Sequence, residues 1–230
     1  MLKESTVSRF VRGLQGRKMV NAERRGKYLI VTLDNGHYLI LHFGMGGDLH
    51  LYRAESDQPA FTRIDFILDG KDRLAFTCPR KICRVMLVND INKVPALRDM
   101  GPEPLGTHFS LSYLQQLFER SPRRLIKPLL MDQTRIAGVG NIYADEILFE
   151  SGVLPYRRCS TLSKDEIKRI HRETRRVLRR ALGTAVEEEF PRNFLVSRNS
   201  DGLGCTRCGG SIERETIGGR TAYFCPRCQE

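Results

Sequence analysis

Gly138 to Phe149 reads GVGNIYADEILF. Two glycines and an asparagine stand directly before a run with strong helical character. A glycine inside a helix costs about 1 kcal/mol relative to alanine, so an ordinary core helix gains nothing from such an entry. A helix starting near Asn141 leaves its first backbone N–H groups without intrahelical acceptors. Those donors, together with the positive end of the helix dipole, suit a phosphate. Asn141 either caps the helix and faces inward or adds a side-chain donor to that site. Lys127, upstream in LIKPLLMD, either flanks the same phosphate or is an ordinary surface lysine.

Outward from this stretch the chain changes character twice. Residues 17–100 read mostly as strand. KYLIVTLDNGHYLILHF holds two apolar runs joined by Asp34-Asn35-Gly36, a strong hairpin signal. RIDFILDGKDRLAFT repeats the design, with Ile64, Phe66 and Leu68 alternating, a turn at Asp69-Gly70, and a return through Leu74 and Phe76. CRVMLVND adds another strand. Strands at this spacing predict an antiparallel sandwich or barrel.

Beyond the linker-like LRDMGPEPLGTHFS the period becomes helical. Ser110 is placed to cap SLSYLQQLFERS, in which Tyr113, Leu114 and Leu117 share a face. Ser163 and Glu166 form a capping-box pattern ahead of a helix with Ile167, Ile170, Val177, Leu178 and Ala181 on one side. Its other side is nearly all arginine and lysine. PRNFLVSRNSDGLG then reads as a polar connector. The predicted domains are 1–105, 106–200 and 201–230.

The last of these carries the most specific motif. Cys205, Cys208, Cys225 and Cys228 form C-x2-C-x16-C-x2-C. Two such knuckles, joined by a hairpin, supply four thiolates for one tetrahedral zinc with no open position, hence a structural metal. IERETIGGRTAYF between them predicts two short strands around Gly218-Gly219. Arg220, just past the turn, is either a solvated arginine or a phosphate or base contact. The remaining cysteines, Cys78, Cys83 and Cys159, are expected as buried or idle thiols.

The chain of 230 residues carries 38 Lys and Arg against 27 Asp and Glu, a formal charge of +11. Residues 157–180 alone hold 10 basic and 3 acidic groups. This balance points to a polyanion, with nucleic acid ahead of a membrane surface. No apolar run is long enough to span a bilayer, and MLKESTVSRF lacks the apolar centre of a signal peptide. A soluble protein of the cytoplasm, associated with the nucleoid, is expected.

These residues carry a resemblance. KPLLMDQTRIAGVGNIYADEILFESGVLP is similar to the helix–two-turn–helix of the formamidopyrimidine-DNA glycosylase and endonuclease VIII family of base-excision enzymes, and GGRTAYFCPRC resembles that family's zinc finger. AERRGKYLIVTL, LHFGMGGDL and MGPEPL match stretches of its β-sandwich domain, so the likeness runs from about Asn21 to Cys228. It implies an α+β fold: an N-terminal antiparallel β-sandwich, a helical helix–two-turn–helix domain and a C-terminal β-hairpin zinc finger. It implies double-stranded DNA with damaged bases or abasic sites as partner, with Lys127, Asn141 and Arg220 on phosphates. Met45 would fill the gap left by a flipped base, and Arg80 would face the orphaned base. Ile82 stands where the formamidopyrimidine enzymes usually place an aromatic wedge.

The resemblance also exposes departures. Family members start with proline followed by glutamate, the amine nucleophile and the proton carrier of a Schiff-base mechanism. This sequence starts MLKESTVSRF, and Ala60 or Phe61 stands about where a sandwich lysine is expected. The expected sandwich lacks its first elements, and no catalytic residue is identified. Met1 is expected to keep an amine far from the sugar. Three functions stay open: a bifunctional glycosylase and abasic-site lyase for oxidised bases, a binder of lesions or abasic sites that does not cut, and a zinc-ribbon module for RNA or protein. The incomplete sandwich is also expected to expose an edge or apolar face near Met19 to Leu33, open to self-association or a partner chain.

Overall fold

The computed structural model describes residues 2, 6–184, 191, 193–200 and 202–230. The expectation for the Met1 amine lies outside the described residues. The chain divides into two compact units, Met1–Arg98 and Asp99–Glu230. The zinc module therefore belongs to the same unit as the helices.

The first unit opens with helix α1 (Val7–Leu14), capped by the Thr6 hydroxyl, which accepts from Arg9 N. No helix is expected there from the residue pattern. Seven strands follow: β1 (Met19–Arg25), β2 (Tyr28–Leu33), β3 (Tyr38–His42), β4 (Asp48–Arg53), β5 (Thr62–Ile67), β6 (Asp72–Thr77) and β7 (Arg84–Val88). They form two antiparallel sheets, ordered β1-β2-β3-β7 and β4-β6-β5. Both hairpin signals are met: Gly36 and Gly70 sit at positive φ in the turns. Alternation of the strands sends Val31, Leu39, Leu41, Phe66, Phe76 and Val85 into a shared core that also takes Phe10 of α1. A short helix, α2 (Pro95–Arg98), closes the unit.

The edge strand β1 is exposed along most of its length, with Met19 and Val20 standing 44% and 59% open. Between the sheets, Met19, Val20, Leu29, Leu49 and Leu74 help line an open apolar groove of about 350 Å³. The expected exposure thus falls on β1 and the groove, whereas most of β2 is buried.

The second unit comprises α3 (Leu111–Glu119), α4 (Ile126–Leu130), α5 (Asn141–Ser151), α6 (Lys164–Thr184), α7 (Leu195–Ser200) and the hairpin β8 (Glu213–Ile217) and β9 (Arg220–Phe224). Ser110 caps α3 by accepting from Tyr113 N at 3.1 Å. The capping box at α6 is reciprocal: Ser163 N donates to Glu166 Oε2, and Glu166 N to Ser163 Oγ. Helix α5 lies in the core, with Ala144 through Phe149 all buried. The expected polar connector contains α7 instead, because Phe194 and Leu195 are buried and anchor it. No helix among the described residues is long and apolar enough to cross a membrane.

Candidate nucleic-acid interface

Three elements distant in sequence meet at one carbonyl. Lys127 Nζ on α4 donates to the Thr221 carbonyl oxygen at 2.7 Å. Asn141 Nδ2, at the first residue of α5, donates to the same oxygen at 2.9 Å. Thr221 is the residue after Arg220, so the exposed arginine of the zinc hairpin is held beside the start of α5. A carboxamide nitrogen carries two hydrogens, and Thr221 uses one. The helix begins at Gly140 without a side-chain cap. Its first amides therefore have no intrahelical acceptor.

Below this junction lies a buried ion pair. Lys127 Nζ stands 2.7 Å from Asp145 Oδ1, and both side chains are almost wholly enclosed. The other carboxylate oxygen of Asp145 accepts from Tyr223 N at 3.1 Å, a second tie between α5 and β9. Burial pushes the Asp145 carboxyl up to about 6 against the opposing pull of Lys127, and burial lowers the Lys127 ammonium. Both effects are desolvation outweighing attraction. Of the two alternatives for Lys127, the ordinary surface lysine is not met. Its ammonium points inward and holds Thr221 and Asp145. Of the two alternatives for Asn141, capping is not met: Gly140 is the N-cap residue, and the Asn141 carboxamide braces β9 through the Thr221 carbonyl.

Glu146, next in the helix, is equally enclosed. It accepts from Arg180 at 2.9 Å and from Leu195 N at 3.1 Å, linking α5 to α6 and α7. Burial pushes its carboxyl up to about 7. The loop into α5 is shaped by Gln133, whose amide donates to the carbonyls of Met131 and Val139 and accepts from Gly138 N.

The hairpin turn is tight. Gly218 and Gly219 both adopt positive φ, +59° and +76°. A Cβ on Gly218 would come within 2.7 Å of Pro128 Cγ, so only glycine lets the turn rest against α4. At its base the four cysteine sulfurs lie within 4.8 Å of one another. Cys205 and Cys228 are 3.7 Å apart, and Cys208 and Cys225 3.6 Å. Four thiolates at about 2.3 Å around tetrahedral zinc have edges near 3.8 Å. The set fits one structural zinc.

In the first unit the candidates gather at one end of the second sheet. Thr77, the last residue of β6, pairs with both Asp48 and Thr62. The turn before β4 carries Met45, 51% exposed, and the segment after β6 carries Arg80 and Ile82, both exposed. Cys78 and Cys83 are joined by a disulfide, Cα to Cα 6.2 Å, which corrects the expectation of idle thiols. The intervening turn folds back far enough to bring them together. Cys159 is buried and free, as expected.

Sequence reasoning missed Thr221, because a backbone carbonyl leaves no residue signature. It also missed Asp145 and Glu146, although two adjacent carboxylates inside an apolar run signal buried, partnered acids.

A β-sandwich, a helical core and a four-cysteine hairpin define a zinc-finger protein of mixed α and β architecture. Family models match accordingly: the formamidopyrimidine-DNA glycosylase N-terminal domain over residues 1–85, its H2TH domain over 100–189, and the zinc finger found in FPG and IleRS over 202–230. The formamidopyrimidine-DNA glycosylase of Pelotomaculum thermopropionicum is 36% identical over 244 residues, covering 100% of this chain and 88% of that one. That of Geobacter metallireducens is 39% identical over 226 residues, covering 94% and 83%. Among solved structures, MutM (Fpg) from Thermus thermophilus superposes with a TM-score of 0.80 at 32% identity, over 99% of this chain and 86% of that one. Lactococcus lactis Fpg in complex with Fapy-dG-containing DNA gives 0.85 at 25% identity, over 98% and 87%. The chain belongs to the formamidopyrimidine-DNA glycosylase family.

Proposed function

We propose that this chain binds damaged duplex DNA in base-excision repair, gripping backbone phosphate at the junction of α5 and the zinc hairpin. The convergence of Asn141 and Lys127 on Thr221 O carries this reading, because it fixes Arg220 beside an uncapped helix start. A dipole end, a carboxamide N–H and a guanidinium then meet one phosphate group. Lys127 acts from below as a positioning residue. Met45 fills the space vacated by an extruded base, and Arg80 meets the base left behind; an apolar wedge offsets part of the few kcal/mol of unstacking. Related proteins have been solved on DNA containing Fapy-dG or an abasic site, which supports the same class of ligand here.

The test is a competition at fixed salt between duplexes with an abasic site, with an oxidised base, and without damage. A clear preference for a damaged duplex is expected. Equal affinities would overturn the reading and favour a zinc-ribbon module for another partner.

A second reading, in which the chain also excises the base and cleaves the abasic site, is favoured by the shared name of its relatives. Against it, Ala60 and Phe61 stand where the resemblance expects a lysine, and Lys127 is sealed behind Asp145. Borohydride trapping on abasic DNA separates the two: a covalent adduct favours excision, and uncut complex without adduct favours binding alone.

A further inference from the structure

The segment Cys78-Pro79-Arg80-Lys81-Ile82-Cys83 is closed on itself by its terminal sulfurs. This closed loop sits at a joint between three turns. Cys78 N donates to the carbonyl of Phe61, at the start of the β5 side of the sheet. Cys83 Sγ lies 3.1 Å from the Phe43 carbonyl oxygen, at the start of the turn that carries Met45. That turn approaches so closely that a Cβ on Gly47 would lie 2.7 Å from Cys83 Sγ, and one on Gly44 3.0 Å from Ile82 Cγ1. Both cysteines are buried in the sandwich core, whereas Met45, Arg80 and Ile82 are exposed.

We infer that the Cys78–Cys83 disulfide is a clasp that holds Met45, Arg80 and Ile82 in one arrangement, so that discrimination of a damaged duplex depends on whether the bond is closed. This rests on the DNA reading above. Without the bond, the turn keeps a long hydrogen bond from Lys81 N to the Cys78 carbonyl at 3.3 Å and one from Cys83 N to Cys78 Sγ at 3.2 Å. Lys81 must hold a left-handed backbone, φ +56°, which the free chain seldom visits. Opening the clasp therefore returns conformational freedom to side chains that must be ordered again on binding. Phosphate gripping at Asn141 and Arg220 does not involve this loop, so affinity for intact duplex is untouched.

The redox step balances as thiol–disulfide exchange. On closing, the two cysteine thiols lose two electrons and two protons to a low-molecular-weight disulfide, which leaves as two thiols. A dithiol reverses it, ending as its own cyclic disulfide.

The experiment uses the full chain with zinc bound, its zinc content measured after each treatment. One sample is equilibrated with oxidised glutathione and one with dithiothreitol. Alkylation and mass spectrometry count the free thiols at positions 78 and 83. Fluorescence anisotropy at fixed salt then gives Kd for an abasic-site duplex and for intact duplex. The clasp predicts that reduction weakens binding to the abasic duplex about tenfold, with intact duplex changed less than about twofold. The variant C78S/C83S should match the reduced protein and ignore dithiothreitol. Should that variant fail to fold, the comparison of the two wild-type samples still decides. Damage preference equal in both states would overturn the clasp and leave the DNA reading standing, as would free thiols at both positions after oxidation. Absence of any damage preference in either state would overturn the DNA reading, and the clasp with it.

Discussion

The carboxamide of Asn141 donates to the carbonyl oxygen of Thr221 at 2.9 Å, joining the first residue of a buried helix to a zinc-hairpin strand 80 positions later in the chain. Because the next residue back is Arg220, this bond sets where the hairpin's cation stands relative to the helix start. The consequences of that arrangement can be measured.

Lys127 is a structural cation, so its removal should register first in stability. Lys127→Met leaves the Asp145 carboxylate buried without its partner, and should destabilise the protein by about 3–5 kcal/mol in urea melts. The double variant Lys127→Met, Asp145→Asn should recover part of that loss. If the single variant melted like wild type, the buried pair would not be holding the hairpin to the helices.

Glu146 gives a pH dependence with a defined sign. Its carboxyl lies at about 7 in the folded chain against an ordinary value of 4.5, with burial as the main cause. Between those values the folded state holds the proton more tightly than the unfolded one. The contribution is therefore full below about 4.5 and lost as pH rises through about 7. Relative to Glu146→Gln, wild type should lose roughly 3 kcal/mol across that window. Parallel stability curves for the two proteins would contradict it.

The two turn glycines should separate conformation from space. Both have positive φ, yet a Cβ meets Pro128 at Gly218 and open space at Gly219. Gly219→Ala should cost about 1 kcal/mol of left-handed strain. Gly218→Ala should cost more and loosen the hairpin from α4. Thermal melts of the two variants give the comparison.

Removing zinc should undo the junction. With Cys205, Cys208, Cys225 and Cys228 released, β9 loses its base and Thr221 its position. One zinc per chain is expected by metal analysis, and a strong chelator should abolish DNA binding while much of the helical circular dichroism survives.

The exposed strand β1 should associate at high concentration. Met19 and Val20 flank the apolar groove on the end strand of the sheet. Sedimentation should show concentration-dependent self-association that Val20→Lys suppresses. A strictly monomeric wild type would count against a sticky edge.

Much of this architecture was legible in the residues. Asp34-Asn35-Gly36, the Ser163–Glu166 box and the cysteine quartet are local chemistry, and local chemistry reads directly from the chain. Asn141 and Arg220 were legible as candidates because the bare helix entry and the diglycine turn are unusual in themselves. The depth of Lys127 was not, since its partners lie 18 and 94 residues away and its local segment resembles any amphipathic stretch. The Cys78–Cys83 bond depends on the path of the turn between them, which residue spacing does not specify. Helix α7 was hidden by its polar composition, because two buried residues, Phe194 and Leu195, decide its place.

The most direct measurement is the salt dependence of binding to an abasic-site duplex for wild type, Arg220→Gln and Asn141→Ala. Each phosphate contact by a cation contributes close to one unit of slope in log Kd against log salt. Arg220→Gln should lower that slope by about one and weaken binding about tenfold, and Asn141→Ala should weaken binding comparably with the slope nearly unchanged. Wild-type affinity and slope in both variants would contradict a phosphate grip at the Asn141–Thr221 junction.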